Sequence, residues 1–189
     1  ERSKPLDHRR GSLLFTHFGL SGPVVLDISR SFTGLQNTAA AKLHCDFLPD
    51  LPAEHLQEEL RGAASADGKR LIANVLAQRL PKRLAEELLL AAGLPVDQRA
   101  AEFSKLARAA LVRAVKSSEI SITGTRGFAK AEVTAGGVAL DEIDSRTMES
   151  KLAAGLFFAG EILDLDGPIG GYNFQAAFST GVLAGRSSG

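Results

Sequence analysis

GLFFAGEILDLDGPIGGYNFQAAFSTGVLAG, residues 155–185, decides how the chain is read. Leu156-Phe157-Phe158-Ala159 is a continuous apolar run, as expected of a strand covered on both faces. It leads into Gly160-Glu161, where a residue without a side chain lets a ligand approach the backbone. An acid at a strand's carboxyl end can accept hydrogen bonds from sugar or ribityl hydroxyls, and open α/β sheets bind nucleotides in crevices there. A turn-rich stretch then reaches Gly170-Gly171 and a helix begins. Its expected inner stripe is Phe174, Ala177, Phe178, Gly181, Val182 and Gly185, the small residues permitting close packing on a sheet. Free N–H groups around Gly171, Tyr172 and Asn173 carry a partial positive charge suited to an electron-rich oxygen. An ordinary strand-to-helix connection has the same outline. The stretch is not GxGxxG, and no GxxxxGK[ST] occurs in the chain.

Outward from this stretch, three textures divide the sequence. Residues 1–51 and 117–150 form a β-rich section, residues 52–116 a helical section, and residues 151–189 the C-terminal segment. The fold class is α+β, a barrel-like or mixed sheet beside a small helical bundle. In the helical section Asp50 is placed to cap a helix with Pro52 in its first turn, Leu56 and Leu60 on one face, and Gly62 as its stop. Leu71, Ile72, Val75 and Leu76 repeat at helical spacing. Pro81 restarts a helix bearing Leu84, Leu88 and Ala92, which Gly93 ends. A last helix carries Phe103, Leu106, Ala107, Ala110, Leu111 and Ala114. Strands are expected at 13–16, 41–47, 120–123 and 131–134, where apolar residues cluster or alternate.

The chain has 189 residues, 44% hydrophobic and 23% charged, enough to bury roughly 70% of its unfolded surface. Basic and acidic groups number 22 each. Zero net charge argues against a nucleic-acid protein held by bulk electrostatics, so no nucleic acid and no membrane are expected as partners. Cys45 stands alone, which favours a reducing, cytoplasmic setting. The sequence opens on Glu1 and its one methionine is Met148, so a processed chain or a piece of a longer one is expected.

Other candidates have plain readings. His17, in FTHFGLSGP, precedes a helix start with Ser21 as cap and Pro23 in its first turn; it could donate a proton to a substrate, and a structural histidine is the simpler reading. Ser21 lacks a GxSxG context. Asp164 and Asp166 read as loop caps rather than metal ligands, and His44-Cys45 has no zinc-spaced partners, so no metal is expected.

Three blocks, Leu13–Leu26, Thr123–Asp144 and Thr147–Gly185, together with Leu80–Leu94, resemble the BaiN/YhiN-like FAD-dependent oxidoreductases, the aminoacetone oxidase family. The resemblance covers nearly the whole chain. It implies that the C-terminal strand–loop–helix belongs to an FAD-binding α/β domain. The family's opening strand–GxGxxG–helix unit has no counterpart here, so a missing N-terminal dinucleotide-binding half is implied as partner. By the same likeness Glu161 and Gly160 meet the ribityl or phosphate region, and Gly170, Gly171, Tyr172 and Asn173 set a helix N-terminus at the flavin's pyrimidine edge. Gly136 and Gly137, in the turn Thr134–Val138, border the cofactor.

The expected function is therefore a part of a flavoprotein oxidoreductase acting on a small molecule, with FAD as cofactor and NAD(P)H as a candidate reductant. The alternative is a non-catalytic interaction module that keeps the scaffold. An RNA-binding β-barrel is disfavoured by the zero charge and by one tyrosine without tryptophan, although ten phenylalanines leave stacking surfaces.

Overall fold

Apolar spacing and proline placement account for most of the helices. A computed structural model describes residues 5–35, 41–133 and 135–189. Among these, the order is β1 (Leu14–Thr16), β2 (Gly19–Ser21), α1 (Pro23–Thr33), β3 (Lys42–Cys45), α2 (Ala53–Ala66), α3 (Ile72–Leu76), α4 (Lys82–Ala91), α5 (Lys105–Lys116), β4 (Ser118–Ser121) and α6 (Tyr172–Ser187). Both sheets are two-stranded and antiparallel, β1 with β2 and β3 with β4. The architecture is a mixed α+β one in which helices dominate. Among the described residues no helix is long and apolar enough to cross a membrane.

The chain divides into two compact units: residues 41–122, and the described residues before 36 together with those from 123 onward. The first of these is a helical body closed by a strand pair. Leu43 faces Ile120 and Cys45 faces Ser118 across β3 and β4, so the chain enters and leaves side by side, the topology of an insertion. Leu56, Leu60, Ile72, Leu76, Leu89, Leu111 and Val115 are each exposed by 1% or less. They come from α2, α3, α4 and α5, one stripe per helix.

The ends of these helices follow from local chemistry. α4 follows Pro81 and ends in a Schellman motif: Gly93 is left-handed at φ 74°, its N–H donates to Leu90, and the Leu94 N–H donates to Leu89. Ser104 caps α5, its Oγ accepting from the Ala107 N–H at 3.2 Å. Phe103 lies just ahead of that helix and is buried, whereas Leu106 is 84% exposed on its outer face. Two expected boundaries are corrected. Pro52, not Asp50, occupies the N-cap position of α2 and supplies no capping bond from its own side chain. Gly62 does not stop that helix, because it lies on the open face while Ala63 behind it is packed in the core, and the helix runs on to Ala66.

The segment leading into α2 is held by a partly buried cation. The Lys116 Nζ donates to the carbonyls of Leu48 and Leu51 at 2.6 and 2.7 Å and pairs with Asp46 at 2.6 Å, its side chain 15% exposed.

The second unit holds α1, α6, the β1–β2 hairpin and long irregular segments. Its buried residues are Ile143, Met148, Leu163 and Ala184, backed by Val138, Phe157, Phe158, Ala159 and Leu183. Ser21 does not cap α1; it ends β2 opposite Leu14, and Gly22 takes the N-cap position at φ 97° with Pro23 after it. A Cβ at Gly22 would sit 2.8 Å from the Ser12 carbonyl oxygen. The run 156–159 is not a strand. It makes one bridge, Glu149 to Phe157, and two backbone bonds to 148–150, and Leu156 is 46% exposed, because no second strand lies beside it among the described residues. Residues 131–133 are likewise irregular, and Thr134 lies outside the described residues.

Replacing Lys116 with methionine leaves two carbonyls and a carboxylate without their shared donor. Urea denaturation should show a loss of about 2–3 kcal/mol, and an unchanged midpoint would remove Lys116 from the account.

Candidate functional site

The C-terminal segment folds on itself through glycine backbones. Gly160 opens a tight 3-10 turn, Gly160–Ile162, at φ 78°. Its N–H donates to the Thr180 Oγ1 of α6 at 3.0 Å, and Thr180 in turn donates to the Ala176 carbonyl at 2.8 Å. Residues 136–138 lie along 162–164: the Val138 N–H donates to Ile162 at 2.8 Å and the Asp164 N–H returns to Val138 at 2.9 Å. Asp164 also accepts from the Gly136 N–H at 3.1 Å.

The two glycines of that turn differ in kind. A Cβ on Gly137 would come 2.4 Å from the Ile162 carbonyl oxygen and 2.8 Å from the Leu163 carbonyl carbon, so backbone packing alone demands glycine there. Gly136, at φ 95°, faces open space. Gly171, at φ 94°, is also open and serves as the left-handed N-cap of α6, with no side chain capping the helix. Asn173 closes the preceding loop: its Oδ1 accepts from the Gly167 N–H at 2.7 Å and its Nδ2 donates to the Gly167 carbonyl at 3.0 Å. Tyr172 and Glu161 are exposed.

Thus Gly136, Gly137, Gly160 and Glu161 meet at one end of the loop, and Gly170, Gly171, Tyr172 and Asn173 form its other end at the start of α6. His17 is not joined to them by any described contact. It sits at the β1–β2 tip, edge-on to Phe18 with ring centroids 5.1 Å apart. Cys45 belongs to the other unit, where burial pushes its thiol up and away from the reactive thiolate form. Among the described residues no group of three or more His, Cys, Asp or Glu could hold a metal.

The face of α6 is a correction. Ala177 and Thr180 turn toward the Gly160 corner and Ala184 is buried. Phe174, Phe178 and Val182 are exposed by 70%, 72% and 55%, with Gly181 and Gly185 open between them. The expected inner stripe is, apart from Ala177, the outer one. The reason is steric: the small face lets the helix approach the 157–163 backbone, and the phenylalanines would hold it off.

Three contributing residues carry no motif. Asp27 on α1 accepts the Ile169 N–H at 2.7 Å, and Arg30, one turn on, pairs with Asp166 at 2.7 Å. Thr180 holds Gly160. The available signal was an acid and a base at i, i+3 on a helix, beside a Gly/Pro loop whose N–H groups need acceptors.

Two substitutions separate these roles. Gly137→Ala should cost about 3 kcal/mol or more by backbone collision, while Gly171→Ala meets only left-handed strain of about 1–2 kcal/mol; denaturant titration reads both. Asp27→Ala should speed exchange of the Ile169 amide about tenfold, and an unchanged rate would show the loop is held by other groups.

The model of the HI0933-like protein barrel and H2TH domain matches residues 2–133. The chain is 41% identical over 168 residues to a Haemophilus influenzae protein named ribosomal RNA dihydrouridine synthase, covering 89% of this chain and 40% of that protein. It is 39% identical over 171 residues to an Escherichia coli protein of the same name, covering 90% and 40%. A Clostridium scindens protein named 3-dehydro-bile acid delta(4,6)-reductase is 35% identical over 179 residues, covering 94% and 44%. The chain spans about two-fifths of the length of the curated relatives it matches. Since the family model covers well over half of it, this chain belongs to the HI0933-like family.

Proposed function

We propose that this chain is part of an FAD-dependent reductase that saturates a carbon–carbon double bond conjugated to a carbonyl, within a uridine of ribosomal RNA. One observation carries the reading: similar proteins are named both for making dihydrouridine and for reducing a 3-dehydro steroid with double bonds at 4 and 6. A uracil ring and a steroid dienone share an alkene in conjugation with a carbonyl. Both reductions add a hydride to the carbon remote from the carbonyl and a proton to the nearer one.

Bound FAD would supply the hydride, and NAD(P)H would return the two electrons. The residues present fit such a group. Gly136, Gly170 and Gly171 leave the backbone accessible, Glu161 offers an exposed carboxylate for ribityl hydroxyls, and the uncapped start of α6 offers N–H groups to an electron-rich edge. Gly160 contributes shape rather than a donor, because Thr180 already accepts its N–H. The GxGxxG half is assigned to the remainder of the longer protein, seated on the exposed stripe of Phe174, Phe178 and Val182. His17 is kept as the proton-donating candidate. Ribosomal RNA as substrate departs from the expectation of no nucleic acid. Zero net charge speaks against long-range capture of RNA, not against a local contact surface. A ribosomal substrate supports the cytoplasmic reading. A small free enone is the second reading, favoured by the bile-acid relative.

The intact protein should copurify with flavin, and ribosomal RNA from cells lacking it should lose a dihydrouridine. Glu161→Ala should weaken flavin binding about tenfold. An intact protein that takes up no flavin would leave the scaffold-only interaction module as the answer.

A further inference from the structure

The β1–β2 hairpin turns through two residues, His17 and Phe18, between the paired Thr16 and Gly19. Thr16 stiffens the turn: its Oγ1 donates to the Gly19 carbonyl at 2.9 Å and accepts from the Phe18 N–H at 3.4 Å. Phe18 is thereby held outward, 49% exposed. The guanidinium of Arg126 lies 4.4 Å from the centroid of its ring. Two residues on, in the 3-10 turn Gly127–Ala129, Phe128 is 87% exposed, and Lys130 follows it at the surface.

Burial does not explain this arrangement, since neither phenylalanine is covered and an exposed ring costs solvent ordering. Nor does ion pairing: no acidic residue occurs between 8 and 26 or between 120 and 131, and no described carboxylate pairs with Arg126. What remains is two aromatic faces, one carrying the Arg126 guanidinium, with Lys130 as a second cation and Glu132 as the first acid after it in sequence. That set suits a strand of unpaired nucleotides, whose bases stack on rings and on guanidinium planes while phosphates meet the cations. A duplex would hide its bases from the rings.

We infer that Phe18, Arg126 and Phe128, with Lys130, form a stacking platform that holds an unpaired stretch of the RNA substrate, an inference that rests on the RNA reading above. The platform grips bases flanking the reacting uridine and takes no part in the chemistry.

Binding of fluorescent RNA to the intact flavoprotein and to the 189-residue chain tests it. Three probes of equal length are used: a uridine-containing single strand, its duplex, and an abasic strand with the same phosphates. The single strand should bind at least about tenfold tighter than the other two. Phe128→Ala and Phe18→Ala should each weaken it about 5- to 150-fold, with Phe128→Trp restoring affinity. Arg126→Gln should lower the slope of log affinity against log salt by about 0.7. Flavin uptake and its reduction by a nicotinamide should be unchanged in every variant. Equal binding of the three probes, or wild-type affinity in Phe128→Ala while flavin uptake persists, overturns the platform and leaves the flavoprotein standing. A Phe128→Cys variant whose new thiol cannot be alkylated in the intact protein overturns it too, because the patch is then covered by protein. Absence of flavin from the intact wild-type protein defeats the underlying reading instead.

Discussion

A backbone N–H that cannot find a partner in its own loop constrains the C-terminal unit. The segment 164–171 contains three glycines, a proline and no regular structure, so most of its donors and acceptors must be met from outside. α1 meets them. Asp27 takes the Ile169 N–H and Arg30 takes the Asp166 carboxylate, tying residues more than a hundred positions apart in sequence. Further bonds depend on that tie in turn: Asn173 closes the loop on Gly167, and Gly171 sets the entry of α6. A helix entered at a fixed angle can then present Thr180 to Gly160. The corner that we assign to the flavin is therefore built from an early helix and a late loop, with the helical unit inserted between them in sequence.

That insertion is feasible because the helical unit closes on itself. β3 and β4 bring its ends together, and Lys116 pins the segment leading into α2. Its core is made from its own residues, on the helices and on the loops between them. A body with this topology can be added to a loop of another domain without stretching it, since the entry and exit strands are neighbours.

How far the sequence spoke depends on the kind of signal. Leu56, Leu60, Leu88 and Leu111 were legible as core because period and burial agree, and Pro81 and Gly93 mark the ends of α4 through dihedral demands that act within a few residues. Gly62 misled because glycine in a helix is only a modest penalty, which core packing on the neighbouring Ala63 outweighs. The 156–159 run misled for another reason: four apolar residues state that a segment wants cover, not which element covers it. The α6 stripe failed in the same way. Both faces of that helix are apolar, one small and one large, and composition does not say which faces this unit. The bonds of Asp27, Arg30 and Thr180 were illegible because each joins distant positions through ordinary residue types.

The two units differ in how completely they bury what they carry. The helical unit hides seven large aliphatic side chains to 1% exposure or less, leaving few such residues outside. In the other unit the buried set is Ile143, Met148, Leu163 and Ala184, while Phe18, Phe128, Leu152, Tyr172, Phe174 and Phe178 stand about half or more exposed. Exposed apolar side chains in such a concentration mark surfaces that have other partners. Their chemistry separates them into two kinds. Around Phe174, Phe178 and Val182 there is a helical stripe without charge, suited to packing against protein. Around Phe18 and Phe128 the rings alternate with Arg126 and Lys130, and a purely apolar partner would have to strip water from both cations without recompense. The charge pattern, more than the hydrophobicity, is our ground for proposing a protein partner for the first surface and a polyanion for the second.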